Sequence, residues 1–188
     1  MNKAERVISK DSVALLIDVQ SVLFPLIDNN KELELYLKRI VKGFGFLDTP
    51  LVVTEQYSKG LGNTIEGLKA VVGEYQPIEK MSFSCFGCVP FIEKLEIMKR
   101  NTVILMGIEA HICVQQTAMD LIDRGFRVLL IEDCIGSRKA NDKNIAVERM
   151  RGVGIEVTTY ESILFELCEV SGTETFKKIS RLIRGYED

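Results

Sequence analysis

The sequence predicts an α/β fold: a Rossmann-like, doubly wound, mostly parallel six-stranded sheet with helices on both faces. Three observations lead there. Apolar runs of β type alternate with amphipathic helical stretches along the whole chain, the pattern of strands joined by crossover helices. No repeat, low-complexity tract or linker interrupts it, so the 188 residues read as a single domain, 1–188, with a sizeable core. An acid, a base and a thiol then fall where three of the strands end, at the sheet rim where such folds bind ligands.

The first strand is Ser12 to Ile17, an apolar run closed by Asp18. A helix follows over Lys31 to Phe46, with Leu33, Leu35, Leu37, Ile40 and Val41 as its apolar positions. The second strand is Leu51-Val52-Val53-Thr54, and the loop after it holds Gly60 and Gly62. A short helical piece spans Ile65 to Val71. The third strand is weak, near Gln76 to Glu79, and Lys80 follows it. Phe91, Ile92, Leu95 and Met98 repeat at helical spacing over Pro90 to Met98. The fourth strand is Val103 to Met106, and a helix starting near Ile112 or Cys113 runs to a stop at Gly125. The fifth strand is Val128 to Ile131, followed by a loop over Asp133 to Lys139 and a helix over Asn141 to Arg151. The sixth strand is Ile155 to Thr158, and helices over Ser162 to Val170 and Thr175 to Ile183 close the chain. The expected strand order is 3-2-1-4-5-6, which makes strands one and four neighbours at the switch point.

Composition narrows the function. Hydrophobic residues make up 46% and charged residues 27%, ordinary for a globular protein. A formal net charge of -3 gives no electrostatic reason to expect nucleic acid or an anionic membrane as partner. No apolar run approaches a membrane helix, and the polar start Met1-Asn2-Lys3-Ala4-Glu5-Arg6 lacks a signal peptide's apolar segment. A cytoplasmic location is the expectation. The five cysteines are an odd number, which points to reduced thiols rather than a disulfide framework. His111 is the single histidine, so one chain cannot assemble a multi-histidine metal site.

Asp18, Lys80 and Cys113 are the candidate chemistry. A thiol, a carboxylate and an ammonium gathered at one rim are the parts of a cysteine nucleophile site. Each has a plainer reading alone: Cys113 as a small buried hydrophobe, Asp18 as a turn cap, Lys80 as a surface lysine.

Four segments carry a resemblance that joins them: Leu16-Ile17-Asp18-Val19-Gln20-Ser21-Val22-Leu23-Phe24, Lys80-Met81-Ser82-Phe83-Ser84-Cys85-Phe86, Gly107 through Asp120, and Asp133 through Arg138. In order and spacing they resemble the isochorismatase-like cysteine hydrolases. The strings Thr54 to Gly62 and Thr158 to Leu167 are similar to the metal-independent branch of isochorismatase-domain proteins. The resemblance implies Asp18, Lys80 and Cys113 as catalytic triad. It implies a cis peptide at Ile108–Glu109 and an oxyanion hole built from the backbone N–H groups of Glu109 and Cys113. Asp18 would take the thiol proton and Lys80 would hold the two charges together. The helix end and Lys80 favour thiolate at Cys113, and burial opposes it. Gln20, Phe24, Gln56, Tyr57, Phe83, Phe86 and His111 are the implied substrate-binding residues. Gln56 and Tyr57 stand where the nicotinamidase branch carries metal ligands, and they offer no strong metal set. No metal and no cofactor are expected. The implied activity is metal-independent hydrolysis of a small amide, ureido or related molecule through a thioester, in a homo-oligomer.

Other motifs leave alternatives open. Cys85 and Cys88 form a C-x-x-C before Pro90, which a thiol-redox protein would use. A non-catalytic interaction module retaining the fold is a third reading. His111, two residues before Cys113, is read as a pocket-rim or subunit-contact residue. Gly60-x-Gly62 is too short for a dinucleotide fingerprint and follows the second strand rather than the first.

Overall fold

The computed structural model describes residues 5–186. Six strands form one sheet in the order β3-β2-β1-β4-β5-β6, and every pairing is parallel. They are β1 (Ser12–Ile17), β2 (Leu51–Gln56), β3 (Ile78–Lys80), β4 (Thr102–Ile108), β5 (Arg127–Gly136) and β6 (Glu156–Thr158). The helices are α1 (Asn30–Phe46), α2 (Ser58–Leu61), α3 (Glu66–Lys69), α4 (Val89–Met98), α5 (Gln115–Asp123), α6 (Ala140–Gly152), α7 (Tyr160–Cys168) and α8 (Glu174–Ile183).

The central strands are apolar without a break because both sheet faces are covered. All of β1 is buried, and its side chains alternate between two cores. Ala14 and Leu16 join a layer with Leu37, Ile40 and Phe44 of α1, Ile163 and Leu164 of α7, and Ile179 of α8. Val13, Leu15 and Ile17 join the opposite layer with Phe91 of α4, Leu121 of α5 and Met150 of α6. Helix starts follow local chemistry: Pro90 sits in the first turn of α4, and Thr159 and Thr173 accept from the Ser162 and Phe176 N–H groups to cap α7 and α8.

Several boundaries differ from the sequence reading, and those of β2 and β3 matter for the site. β2 continues through Gln56, and β3 ends on Lys80, so both residues belong to strand ends. β5 continues through the expected loop to Gly136. The polar pair Glu132-Asp133 hides that extension. The β4 pairing slips there, from Leu105 opposite Leu130 to Gly107 opposite Ile135.

Candidate active site

Four strands deliver their carboxyl ends to one place. Asp18 leaves β1 with φ 52°, a left-handed turn that aspartate tolerates, and its N–H donates to the Thr54 carbonyl at 3.1 Å. On one side, β2 and β3 pair Gln56 with Lys80. On the other, Ile17 pairs with Gly107 of β4. Gly107 has φ 119°, and a Cβ there would lie 2.2 Å from the Ile17 carbonyl oxygen, so this crossing accepts only glycine. The chain then passes a cis Ile108–Glu109 peptide into a π-helical turn, Ala110–Val114, which carries Cys113.

Asp18 and Lys80 are each 2% exposed and Cys113 4%. Lys80 Nζ donates to Asp18 Oδ2 at 2.6 Å and to the carbonyl oxygens of Ser82 and Phe83 at 3.0 and 3.1 Å. All three ammonium donors therefore have acceptors, which a buried cation requires. The Thr54 hydroxyl donates to Asp18 Oδ1 at 2.7 Å, so each carboxylate oxygen receives a bond. Burial works against the Lys80 charge, but the Asp18 carboxylate, with the Cys113 and Cys85 sulfurs, outweighs it and raises the lysine above its ordinary value. Burial also pushes the Cys113 thiol well up, and Asp18, within hydrogen-bonding reach, pushes it further. Lys80 offsets only part of this. Of the opposed effects foreseen at Cys113, burial outweighs the pull of Lys80, and the thiol is raised above its ordinary value.

The other expected site residues divide. Gln56 reaches the cluster: its Oε1 accepts from the Cys113 thiol at 3.3 Å, and its Nε2 donates to the Met81 carbonyl at 3.3 Å. Tyr57 (48% exposed) and Phe83 (53%) stand at the rim, and Met81 beside them is 69% exposed. His111 is half-buried, its Nδ1 2.9 Å from the Ser137 hydroxyl and its Nε2 3.9 Å from Asp142 Oδ2.

Three more of the expected residues are engaged with other parts of the protein. The Gln20 side chain is buried between the end of β2 and the turn at Gly62, its Nε2 donating to the carbonyls of Gln56 and Gly62 and its Oε1 accepting from the Gln56 N–H. Phe24 lies in a 3-10 turn and packs into the α1 core layer. The Phe86 ring meets Phe91 edge-on at 5.4 Å and carries the Arg124 guanidinium 4.1 Å above it. The Glu109 carboxylate is buried and holds the backbone N–H and Nε of Arg138 at 2.9 and 3.1 Å. Thr54 and the Ser82 and Phe83 carbonyls escaped the sequence reading. Only the alternation of β2 pointed to Thr54, and nothing local marks the carbonyls.

All five cysteines are free thiols. Cys85 and Cys88 are buried, the Cys88 thiol 3.5 Å from the Glu79 carbonyl. Burial pushes the Cys85 thiol up to about 12, the opposite of a reactive C-x-x-C. Cys134 is a core residue, whereas Cys168 at the end of α7 is only partly buried. Among the described residues, no group of three or more His, Cys, Asp or Glu side chains could hold a metal ion. None of the described helices is long and apolar enough to cross a membrane.

The family model for the isochorismatase domain matches residues 12–162. The chain belongs to the isochorismatase family. Within that family it is 37% identical over 175 residues to isochorismatase domain-containing protein 1 of Danio rerio, covering 92% of this chain and 61% of that protein's length. It is 34% identical to isochorismatase domain-containing protein 2A of Mus musculus, covering 95% of this chain and 85% of the mouse protein. A relative from Phytophthora sojae, the secreted isochorismatase effector Isc1, is also 34% identical and covers 95% of this chain and 87% of its own. Among solved structures, the MAR1 ribonuclease of Caenorhabditis elegans superposes with TM-score 0.89 at 35% identity, over 96% of this chain and 93% of that one.

Proposed function

We propose that this chain is a metal-independent cysteine hydrolase of a small amide or ureido compound, with Cys113 as nucleophile, Asp18 as general base and acid, and Lys80 as electrostatic clamp. The observation that carries the reading is the buried Asp18–Lys80 pair at 2.6 Å, facing a buried cysteine thiol. An ion pair withdrawn from water is a poor stabilising device, and its position beside a nucleophile favours a chemical role.

The thiol proton passes to the Asp18 carboxylate as sulfur attacks the substrate carbonyl carbon. Negative charge builds on the carbonyl oxygen, where the Glu109 and Cys113 backbone N–H groups receive it. The tetrahedral adduct collapses, the C–N bond breaks, and the amine leaves with the proton from Asp18. Water then attacks the thioester and gives a proton to Asp18. The acid departs, and Asp18 returns that proton to the sulfur. The net reaction is amide plus water giving acid plus amine. Lys80 remains an ammonium throughout, so the site carries a carboxylate or a thiolate without an unpaired buried charge.

Mass spectrometry of the protein quenched during turnover of small primary amides tests the reading. A mass increase confined to the Cys113 peptide, absent in Cys113→Ala, is expected. Undiminished hydrolysis by Cys113→Ala would end it. Homo-oligomerisation belongs to the same proposal and is supported by the apolar side chains exposed around the rim, Val22, Leu26, Tyr57, Met81 and Phe83. Light scattering would read the assembly directly.

A further inference from the structure

We propose that Gln56 is a latch on the nucleophile, holding the Cys113 thiol protonated until a substrate N–H takes its place. The idea rests on Cys113 being the nucleophile and adds a positioning role to a side chain otherwise read as a pocket wall.

Gln56 is fixed at every polar atom. Its N–H donates to Gln20 Oε1 at 2.8 Å, and its carbonyl accepts from Gln20 Nε2 at 3.0 Å. Its side-chain NH₂ faces the Met81 carbonyl at 3.3 Å. A carbonyl only accepts, so the amide cannot turn over without setting two oxygens against each other. Oε1 must therefore face Cys113 Sγ, and it does so at 3.3 Å.

An amide oxygen has no proton to give. Its contact with sulfur is attractive only while sulfur carries hydrogen, and a thiolate there would face lone pairs. The charged and titratable groups beside the sulfur are Asp18, Lys80 and the Cys85 thiol. Attack requires the thiol proton to go to the Asp18 carboxylate, and one proton cannot bind Gln56 and transfer to Asp18 together. A primary amide or ureido NH₂ placed beside the sulfur donates to Gln56 Oε1 instead. The thiol proton is then released to Asp18, and the sulfur electron pair to the carbonyl carbon. Substrate presence and nucleophile activation are thus one event, and the class selected is amides bearing an N–H. Fully N-alkylated amides lack the key.

Alkylation of Cys113 reads the latch without any turnover. The reagents are iodoacetamide, which carries an NH₂, and its N,N-dimethyl analogue, which has none. With the donor-free reagent at neutral pH, Gln56→Met should react about fivefold faster than wild type, the factor expected for losing one neutral hydrogen bond to the thiol. Gln56→Glu, which strengthens the acceptor, should react more slowly. Wild type should favour iodoacetamide over the dimethyl reagent, and Gln56→Met should lose that preference. A merely structural role would shift both variants the same way, and that result would overturn the latch, as would an unchanged rate in Gln56→Met. Either outcome with an inactive Cys113→Ala removes the latch alone, whereas hydrolysis by Cys113→Ala removes the nucleophile beneath it.

Discussion

Thr54 and Asp18 are joined by a buried hydrogen bond of 2.7 Å that fills the one carboxylate oxygen Lys80 leaves open. Between them, a neutral donor and a charged donor fix the carboxylate plane. Thr54→Val keeps the side-chain shape and deletes the donor. The expected cost is about 2 kcal/mol of stability, the usual scale for a hydrogen bond to a charged group. Turnover should fall more than substrate affinity, because a loosened base misaligns the proton transfer. Urea denaturation and a kcat-against-KM comparison check the two parts.

Removing one member of the Asp18–Lys80 pair strands the other charge away from water. Lys80→Met is expected to lose about 3–5 kcal/mol. The double variant Asp18→Asn/Lys80→Met should lose less than the two single losses added together, because no buried charge is left over. A double-mutant cycle from equilibrium unfolding measures this. Additive losses would mean that the two groups are held independently.

The Cys113 thiol is raised above its ordinary 9.0, first by burial and then by Asp18, and Lys80 pulls it partly back. Below that raised value the sulfur stays protonated, so alkylation should climb about tenfold per pH unit to beyond pH 9 without a low-pH plateau. Asp18→Asn removes a raising influence and should move the curve to lower pH. Lys80→Met removes a lowering influence and should move it to higher pH. Peptide mass spectrometry across pH reads all three curves, and movement of both variants in one direction would contradict the charge assignment.

Gly107→Ala should prevent the native fold. The new methyl would meet the Ile17 carbonyl oxygen at 2.2 Å, a backbone atom that cannot swing away, at a φ of 119° that alanine avoids. Loss of soluble protein, or a collapse of the thermal transition, is the expected result. A variant with wild-type melting would show that β4 can retreat from β1.

Much of this architecture was legible because burial on both faces leaves a simple trace. Val13 to Ile17 and Val103 to Met106 are unbroken apolar runs, and parallel strands require that. Their neighbourhood at the switch point follows from the strand order, so Asp18 and Cys113 could be brought together from pattern alone. Lys80 is harder, since β3 has three residues and no periodicity, and its place at a strand end rested on a weak strand. Gln20 and Phe24 read as ligand contacts because they lie in the segment around Asp18 that carries the resemblance. A 3-10 turn rotates Phe24 into the core, and the Gln20 partners lie 36 and 42 residues away, so no local pattern encodes them. Burial won over charge at Cys113 for the same reason. The depth of a thiol is set by the helices packed over it.

Because the Glu109 carboxylate holds both the backbone N–H and the guanidinium of Arg138, replacing the acid alone orphans its partner in the next loop. The rim after β2 and β3 is looser, for the Met81 and Phe83 side chains are exposed and only their backbone carbonyls serve the site. Substitution is therefore costly in the turn that carries the cysteine. The opposite lip is where new chemical preferences can be tried one residue at a time.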